Sequence, residues 1–246
     1  MTSVHKVAPD GARVSIDVPD ELTDLSWIGF TKISGPGFVH TFRVGAVEEL
    51  DIIDRRLLPG ARVQRWQRPG YELRLYQARD ASNNALVWAG RYHGITLWLG
   101  GPAPTERVIG RIERAVRFQD DPDGAVVAPR SRALYRREST LLTAVGSEVR
   151  LIARPVGDGA ALPRWRGASH PTGEMWRAPL ALDDAERRRL GDTPYAWRYL
   201  IANPTAIVDV VFRPPFPPAV PQADTARMER ILTGLAVFWR ERPETR

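Results

Sequence analysis

The sequence predicts an α+β protein of two similar units, each an antiparallel sheet packed by a C-terminal amphipathic helix, over residues 1–124 and 125–246. Two observations point there. An apolar, β-like run passes through a Pro-rich bend into an amphipathic stretch twice: Gly94 to Leu99, Gly100 to Pro104, then Thr105 to about Gln119; and Ala206 to Phe212, Arg213 to Pro221, then Asp224 to about Arg240. The length of 246 residues also suits two domains near the usual ~100–150.

Taken in order, Arg13 to Val18 alternates apolar and polar residues and stops at Pro19-Asp20, a half-buried strand meeting a turn. Ser26 to Phe30 and Phe38 to Val44 are further strands around the turn Ser34-Gly35-Pro36-Gly37, and period two puts Phe38, His40, Phe42 and Val44 on one face. Leu50, Ile53, Leu57 and Leu58 fall near helical spacing, so Val47 to Leu58 reads as a short helix ended by Pro59-Gly60. A meander follows: Val63 to Gln67, Glu72 to Ala78, Ala85 to Tyr92 and Ile95 to Leu99, with Asp80 to Asn84 as a turn. The helix after it has Thr105 as N-cap, Val108, Ile112, Ala115 and Val116 on one side and Arg107, Arg111 and Arg114 on the other.

In the second half, Leu141 to Val145 and Glu148 to Ala153 read as strands, residues 155–181 as loop, and Leu182 to Leu190 as a short helix. Tyr195 to Ala202 and Ala206 to Phe212 are strands. Met228, Ile231, Leu232, Leu235, Phe238 and Trp239 form one apolar stripe, which predicts a closing helix.

The opening strand Val14-Ser15-Ile16-Asp17-Val18-Pro19 and the segment Tyr92 to Phe118 resemble the Mog1/PsbP/DcrB-type α+β fold, with the end of the second half as a second copy. The resemblance implies a binding module, since that group consists mostly of adaptors, secretion chaperones and accessory subunits. It shares no catalytic motif, so no functional residue carries over. The second half departs from the pattern by lacking the Val-Pro opening strand and by its Pro-rich insertion.

The net charge is +6, and every cationic residue except Lys6 and Lys32 is arginine. Arginine makes bidentate contacts and stacks on aromatic rings, so an acidic protein or a nucleic acid suits this balance. The absence of cysteine excludes disulfides, thiol catalysis and zinc–thiolate sites. No apolar run approaches the ~18–20 residues of a membrane span, and Met1 to Lys6 lacks the apolar core of a secretory signal, which together predict a cytoplasmic location.

Motifs for chemistry are missing. His5, His40, His93 and His170 form no metal-type pair, and neither a nucleophile elbow nor a Gly-rich phosphate cradle is present. No catalytic, cofactor-binding or metal residue is assigned. Two features suit binding instead. Arg213-Pro214-Pro215-Phe216-Pro217-Pro218 is stiff and extended, presenting Arg213 and Phe216. Tryptophans beside arginines, in Arg65-Trp66, Arg164-Trp165-Arg166 and at Trp176, suit protein interfaces or stacking on bases. The expected function is a non-catalytic protein-binding adaptor, chaperone or assembly subunit, whose partner is another protein or a second copy. The alternatives are a structural component of a phage or injection-type assembly and a nucleic-acid binder using the Arg/aromatic surface.

Overall fold

The computed structural model describes residues 1–20, 22, 25–145, 148–157, 162–191, 193–214 and 224–240, with backbone alone for 144 and 145. The strands in chain order are β1 (Thr2–Val7), β2 (Arg13–Val18), β3 (Trp27–Gly35), β4 (Phe38–Ala46), β5 (Arg62–Arg68), β6 (Tyr71–Gln77), β7 (Asn83–Ala89) and β8 (His93–Gly100). Helix α1 (Glu106–Ala115) leads to β9 (Val116–Asp121), β10 (Gly124–Pro129), β11 (Tyr135–Val145), β12 (Val149–Pro155), β13 (Ala168–His170) and β14 (Gly173–Pro179). Helix α2 (Asp184–Leu190) precedes β15 (Trp197–Ala202) and β16 (Ala206–Phe212), and α3 (Thr225–Gly234) precedes β17 (Ala236–Arg240).

Two compact units result: unit A, comprising Lys6–Ala12 and Ile28–Ser139, and unit B, comprising Met1–His5, Arg13–Trp27 and Thr140–Glu241. In unit A the antiparallel order is β3-β4-β8-β7-β6-β5, and β9 pairs with β10. In unit B the order is β11-β12-β16-β15-β14-β13, accompanied by a three-stranded sheet β1-β2-β17. The second order repeats the first with each strand number raised by eight.

The predicted fold class is corrected by this architecture. Strand outweighs helix, 53% against 19% of the described residues, and neither unit is a sheet closed by a terminal helix. The sequence predicts both amphipathic stretches as helical throughout, whereas α1 stops at Ala115 and α3 at Gly234, and each chain segment continues as a strand. The reason lies in the last residues of each stretch. Val237, Phe238 and Trp239 are β-branched or aromatic, and Val237 and Trp239 are buried with Phe238 between them more open, which is period two rather than 3.6. Gly234 interrupts the helix ahead of them, at a residue with little helical preference.

Unit A buries Phe42, Val44, Leu73, Leu86, Trp88, Ile95 and Leu97 on one sheet face, beneath Ile109 and Ile112 of α1 and Ala125 and Val127 of β10. The predicted face of β4 holds: Phe38, Phe42 and Val44 are buried, and His40 packs edge-on against Phe38 at 4.5 Å between ring centroids. On the opposite face Leu50, Ile53 and Leu58 cover Tyr76, Ala85 and Val87. The segment predicted as one helix there is a 3₁₀ turn (Val47–Leu50) followed by a π turn (Ile53–Leu57), in which the Leu58 N–H donates to the Ile53 carbonyl at 2.7 Å. That wider turn leaves Leu57 53% exposed.

Unit B is held by polar ties at its turns. Asp183 and Glu186 form a reciprocal capping box on α2. Asn203 closes the β15–β16 turn: its Oδ1 accepts from Thr205 N, Thr205 Oγ1 and Ala206 N, each at 2.9 Å, while its Nδ2 donates to the Val237 carbonyl of β17 at 2.6 Å. His170 is buried, and its Nε2 donates to the Leu232 carbonyl of α3 at 2.9 Å. Among the described residues, no helix is long and apolar enough to cross a membrane.

Candidate functional site

An open concave surface stands in unit B, at the aromatic–arginine run of the sequence. Residues 155–181, read as loop, carry β13 and β14 at one border of the ladder. β14 directs Glu174 and Trp176 to one sheet face with Leu200 and Ala202 of β15, its neighbour in register. Leu162 packs on that face against Trp176, Leu200, Ala202 and Ile207. The chain then crosses the face as Arg164-Trp165-Arg166 and leaves an open cleft of about 510 Å³ whose other wall includes Asn203 and Pro204.

The two tryptophans of the cleft have opposite roles. Trp176 is 7% exposed and donates its indole N–H to the Trp165 carbonyl at 2.8 Å, so its ring is floor and its nitrogen fixes the crossing segment. Trp165 is 66% exposed, although burying an indole is among the most favourable things a Trp does. Arg164 and Arg166 on either side are exposed and make no ion pair among the described residues. Glu174 is already engaged, accepting from Gly167 N at 3.0 Å.

Two glycines make the close packing possible. A Cβ on Gly167 would stand 2.8 Å from both the Met175 carbonyl and the Trp176 ring, and one on Gly173 would stand 2.1 Å from the Ala202 carbonyl oxygen. The volume falls in the ~300–1,000 Å³ range of ligand sites. Its described lining supplies aromatic and aliphatic surface, two guanidinium groups and a carboxylate with a partner. That inventory stacks, covers and neutralises; it contains no nucleophile next to a base.

Arg164, Trp165, Arg166 and Trp176 are therefore brought together. Arg65 and Trp66 stand on β5 in unit A. Trp66 is half-buried against the α1-covered core, while Arg65 is exposed. Arg213 is exposed just after β16, its N–H donating to the Glu148 carbonyl at 2.6 Å. Phe216 lies outside the described residues.

Sequence reasoning missed a second surface, in unit A. Ile52, Leu57 and Trp98 are 42%, 53% and 41% exposed, and they rim a cavity of about 100 Å³ beside the Arg43–Glu49 ion pair. The outward turn of Leu57 depends on the five-residue hydrogen-bonded loop, for which the helical spacing of the apolar residues carries no signal. Trp98 had one: period two along β8 places it opposite in facing to Ile95 and Leu97, which are buried.

Several titratable groups elsewhere have structural partners. His93 Nδ1 meets Asp120 Oδ1 at 3.0 Å while Asp120 Oδ2 accepts from Tyr92 N at 2.8 Å, which fixes the β7–β8 turn. Glu113 of α1 accepts from Arg68 Nε at 2.7 Å and from the Tyr71 hydroxyl at 2.9 Å. Burial opposes the ionisation of Glu113, yet these two hydrogen bonds and the Arg68 charge hold its carboxyl below the usual range. Burial and the same carboxylate push the Tyr71 phenol up to about 12. Among the described residues no group of three or more His, Asp or Glu is placed to hold a metal ion.

No protein-family model and no curated protein matches this chain. Among solved structures it is similar to the crystal structure of MucB in complex with MucA(peri), at 12% identity over 86% of this chain and 93% of that one, with a TM-score of 0.19. It is also similar to the crystal structure of MucB, at 15% identity over 87% and 93% of the two chains, with a TM-score of 0.14. At these scores neither likeness bears on the fold or the partner of this chain.

Proposed function

We propose that this protein is a non-catalytic protein-binding module, acting as an adaptor, chaperone or assembly subunit, and that its unit B cleft receives an extended segment of a partner protein. The observation that carries this reading is Trp165: a large aromatic ring held out over an open cleft, its backbone anchored by Trp176, with an arginine on each side that has no ion pair among the described residues. Exposed aromatics with arginine concentrate binding energy at protein interfaces. The carbonyl of Trp165 is tied down while its ring is not, so the ring is presented with its main-chain ordering cost already met.

The test is site-specific photo-crosslinking in the source cells, with a photoreactive phenylalanine analogue at position 165 and, as control, at the exposed helical position 188. Protein adducts formed at 165 but not at 188, and resistant to nuclease, are expected. Adducts consisting of nucleic acid would favour the Arg/aromatic nucleic-acid reading, and adducts only with the chain itself would favour a structural component of a larger assembly. Absence of any adduct specific to 165 would refute the cleft as a binding site.

A further inference from the structure

The border strand of unit A has a different character from the cleft. β5 is seven residues long, Arg62-Val63-Gln64-Arg65-Trp66-Gln67-Arg68, and every one of them is paired with β6. It stands last in the strand order, so its outer main-chain groups have no strand partner among the described residues. Sheet borders are usually protected by being short, bulged, charged or interrupted by proline; β5 is neither short, bulged nor interrupted, and its protection is charge, from Arg62, Arg65 and Arg68. Its two faces are anchored, Trp66 into the core beneath α1 and Val63 into the core on the opposite side. The strand is thus a rigid, regular template.

Its charges are unbalanced in a directional way. Arg65 is directly opposite Arg74 on β6, and Arg74 is ion-paired with Glu72. Arg68 is held by Glu113. Arg62 is opposite Gln77. Arg62 and Arg65 are exposed and have no ion pair among the described residues, so each has a like charge or a neutral amide on its paired side and an open position on the other.

These facts decide between occupants. In the antiparallel register that joins all seven residues to a second copy of β5, Arg65 meets Arg65 and Arg62 meets Arg68, and like charges directly opposite one another are destabilising. An acidic strand reverses the sign at the same positions. We infer that β5 is a docking edge for an extended acidic segment of a partner protein, which adds to the sheet as a further antiparallel strand. Reading along such a segment, the residues facing Trp66, Arg65, Gln64, Val63 and Arg62 would be apolar, acidic, unrestricted, apolar and acidic. The arginines that admit this segment also oppose self-pairing in the full seven-residue register, so attraction and exclusion come there from the same side chains. This surface is independent of the unit B cleft.

The experiment is selection of a displayed library of random twelve-residue peptides against the whole protein and against the Arg62→Glu, Arg65→Glu double variant. These exposed positions tolerate substitution, and circular dichroism checks that the variant is folded. Enrichment of peptides with two acidic residues three apart and apolar residues beside them is expected. A selected peptide should bind the variant about tenfold more weakly, from two cross-strand pairs turned repulsive, and should slow amide exchange across residues 62–68. Enrichment without an acidic pattern, equal binding to the variant, or unchanged exchange in β5 would overturn the proposal. So would poly(U) binding lost in the variant together with no acidic peptide enriched, since that would assign the arginines to nucleic acid. Because Trp165→Ala leaves β5 untouched, peptide binding that disappears in that variant would place the peptide in the cleft and likewise overturn it.

Discussion

Asn203 offers a quantitative test of how unit B is held together. One side chain accepts three hydrogen bonds within the β15–β16 turn and donates a fourth to β17. Replacement by Ala leaves the Thr205 and Ala206 amides and the Val237 carbonyl without their partner. At about 0.5–1.5 kcal/mol for each net bond, with water replacing part of the loss in this half-buried turn, the cost is about 2–4 kcal/mol. That is a large share of the ~5–15 kcal/mol of a typical domain. Asn203→Asp separates the two halves of the argument. Its carboxylate still accepts all three turn bonds, but an oxygen replaces the nitrogen that stands 2.6 Å from the Val237 oxygen. The expected cost is about 1–3 kcal/mol at neutral pH, all of it from the lost tie to β17. Urea unfolding of the three proteins at pH 7 measures this. A penalty for the Asp variant equal to or larger than that for Ala would refute the account.

Other outcomes follow from the same geometry. Trp165→Ala should change stability by less than about 0.5 kcal/mol, as for a surface side chain, whereas Trp176→Ala should cost about 3–5 kcal/mol; comparable values in urea titrations would contradict their assignment as presented ring and floor. Gly173→Ala should destabilise by about 1–3 kcal/mol, because its methyl group has no room before the Ala202 carbonyl; an unchanged thermal midpoint would show that β14 and β15 can separate there. Burial first, and then the Arg111 charge, lowers the His40 pKa below its ordinary 6.5. The neutral ring's contribution is full above pH 6.5 and is lost as pH falls towards the lowered folded value, so the stability gap between the parent and His40→Gln should shrink from pH 7.5 to pH 5.5. A gap independent of pH would rule this out. Glu113→Gln should weaken the Arg68 and Tyr71 ties by about 1 kcal/mol after allowance for the partial exposure of Arg68, and should bring the Tyr71 phenolate transition down from about 12, read by phenolate absorbance.

Much of the strand framework was legible because its signal is local. The alternation in Arg13 to Val18, the aromatic face of β4 and the β5–β8 meander all follow from period two and turn chemistry, and Ala206 to Phe212 coincides with β16. What was not legible depends on tertiary partners. The ends of both amphipathic stretches fit helical and strand patterns alike. Val116 to Asp121 and Ala236 to Arg240 are strands because β10 and β2 supply their hydrogen-bond partners. β13 and β14 were hidden by prolines at 163, 171 and 179, two outside the strands and one at a strand end where a missing N–H is tolerated. In the candidate site, Arg164, Trp165, Arg166 and Trp176, singled out by the pairing of arginine with tryptophan, all line the cleft. Sequence could not distinguish Trp165 from Trp176, because the difference lies in which indole finds a carbonyl and a floor of Leu200 and Ala202.

The pairing of β2 with β17 also sets a timetable. β2 has β1 beside it on one side but finds its other partner only at 236–240, so during vectorial synthesis the three-stranded sheet of unit B is completed only after residue 240 has left the ribosome. Unit A has its entire ladder between residues 27 and 100. At ~5–20 residues per second, unit A can mature ten seconds or so before unit B completes its sheet, leaving the apolar side of β2 uncovered for that interval.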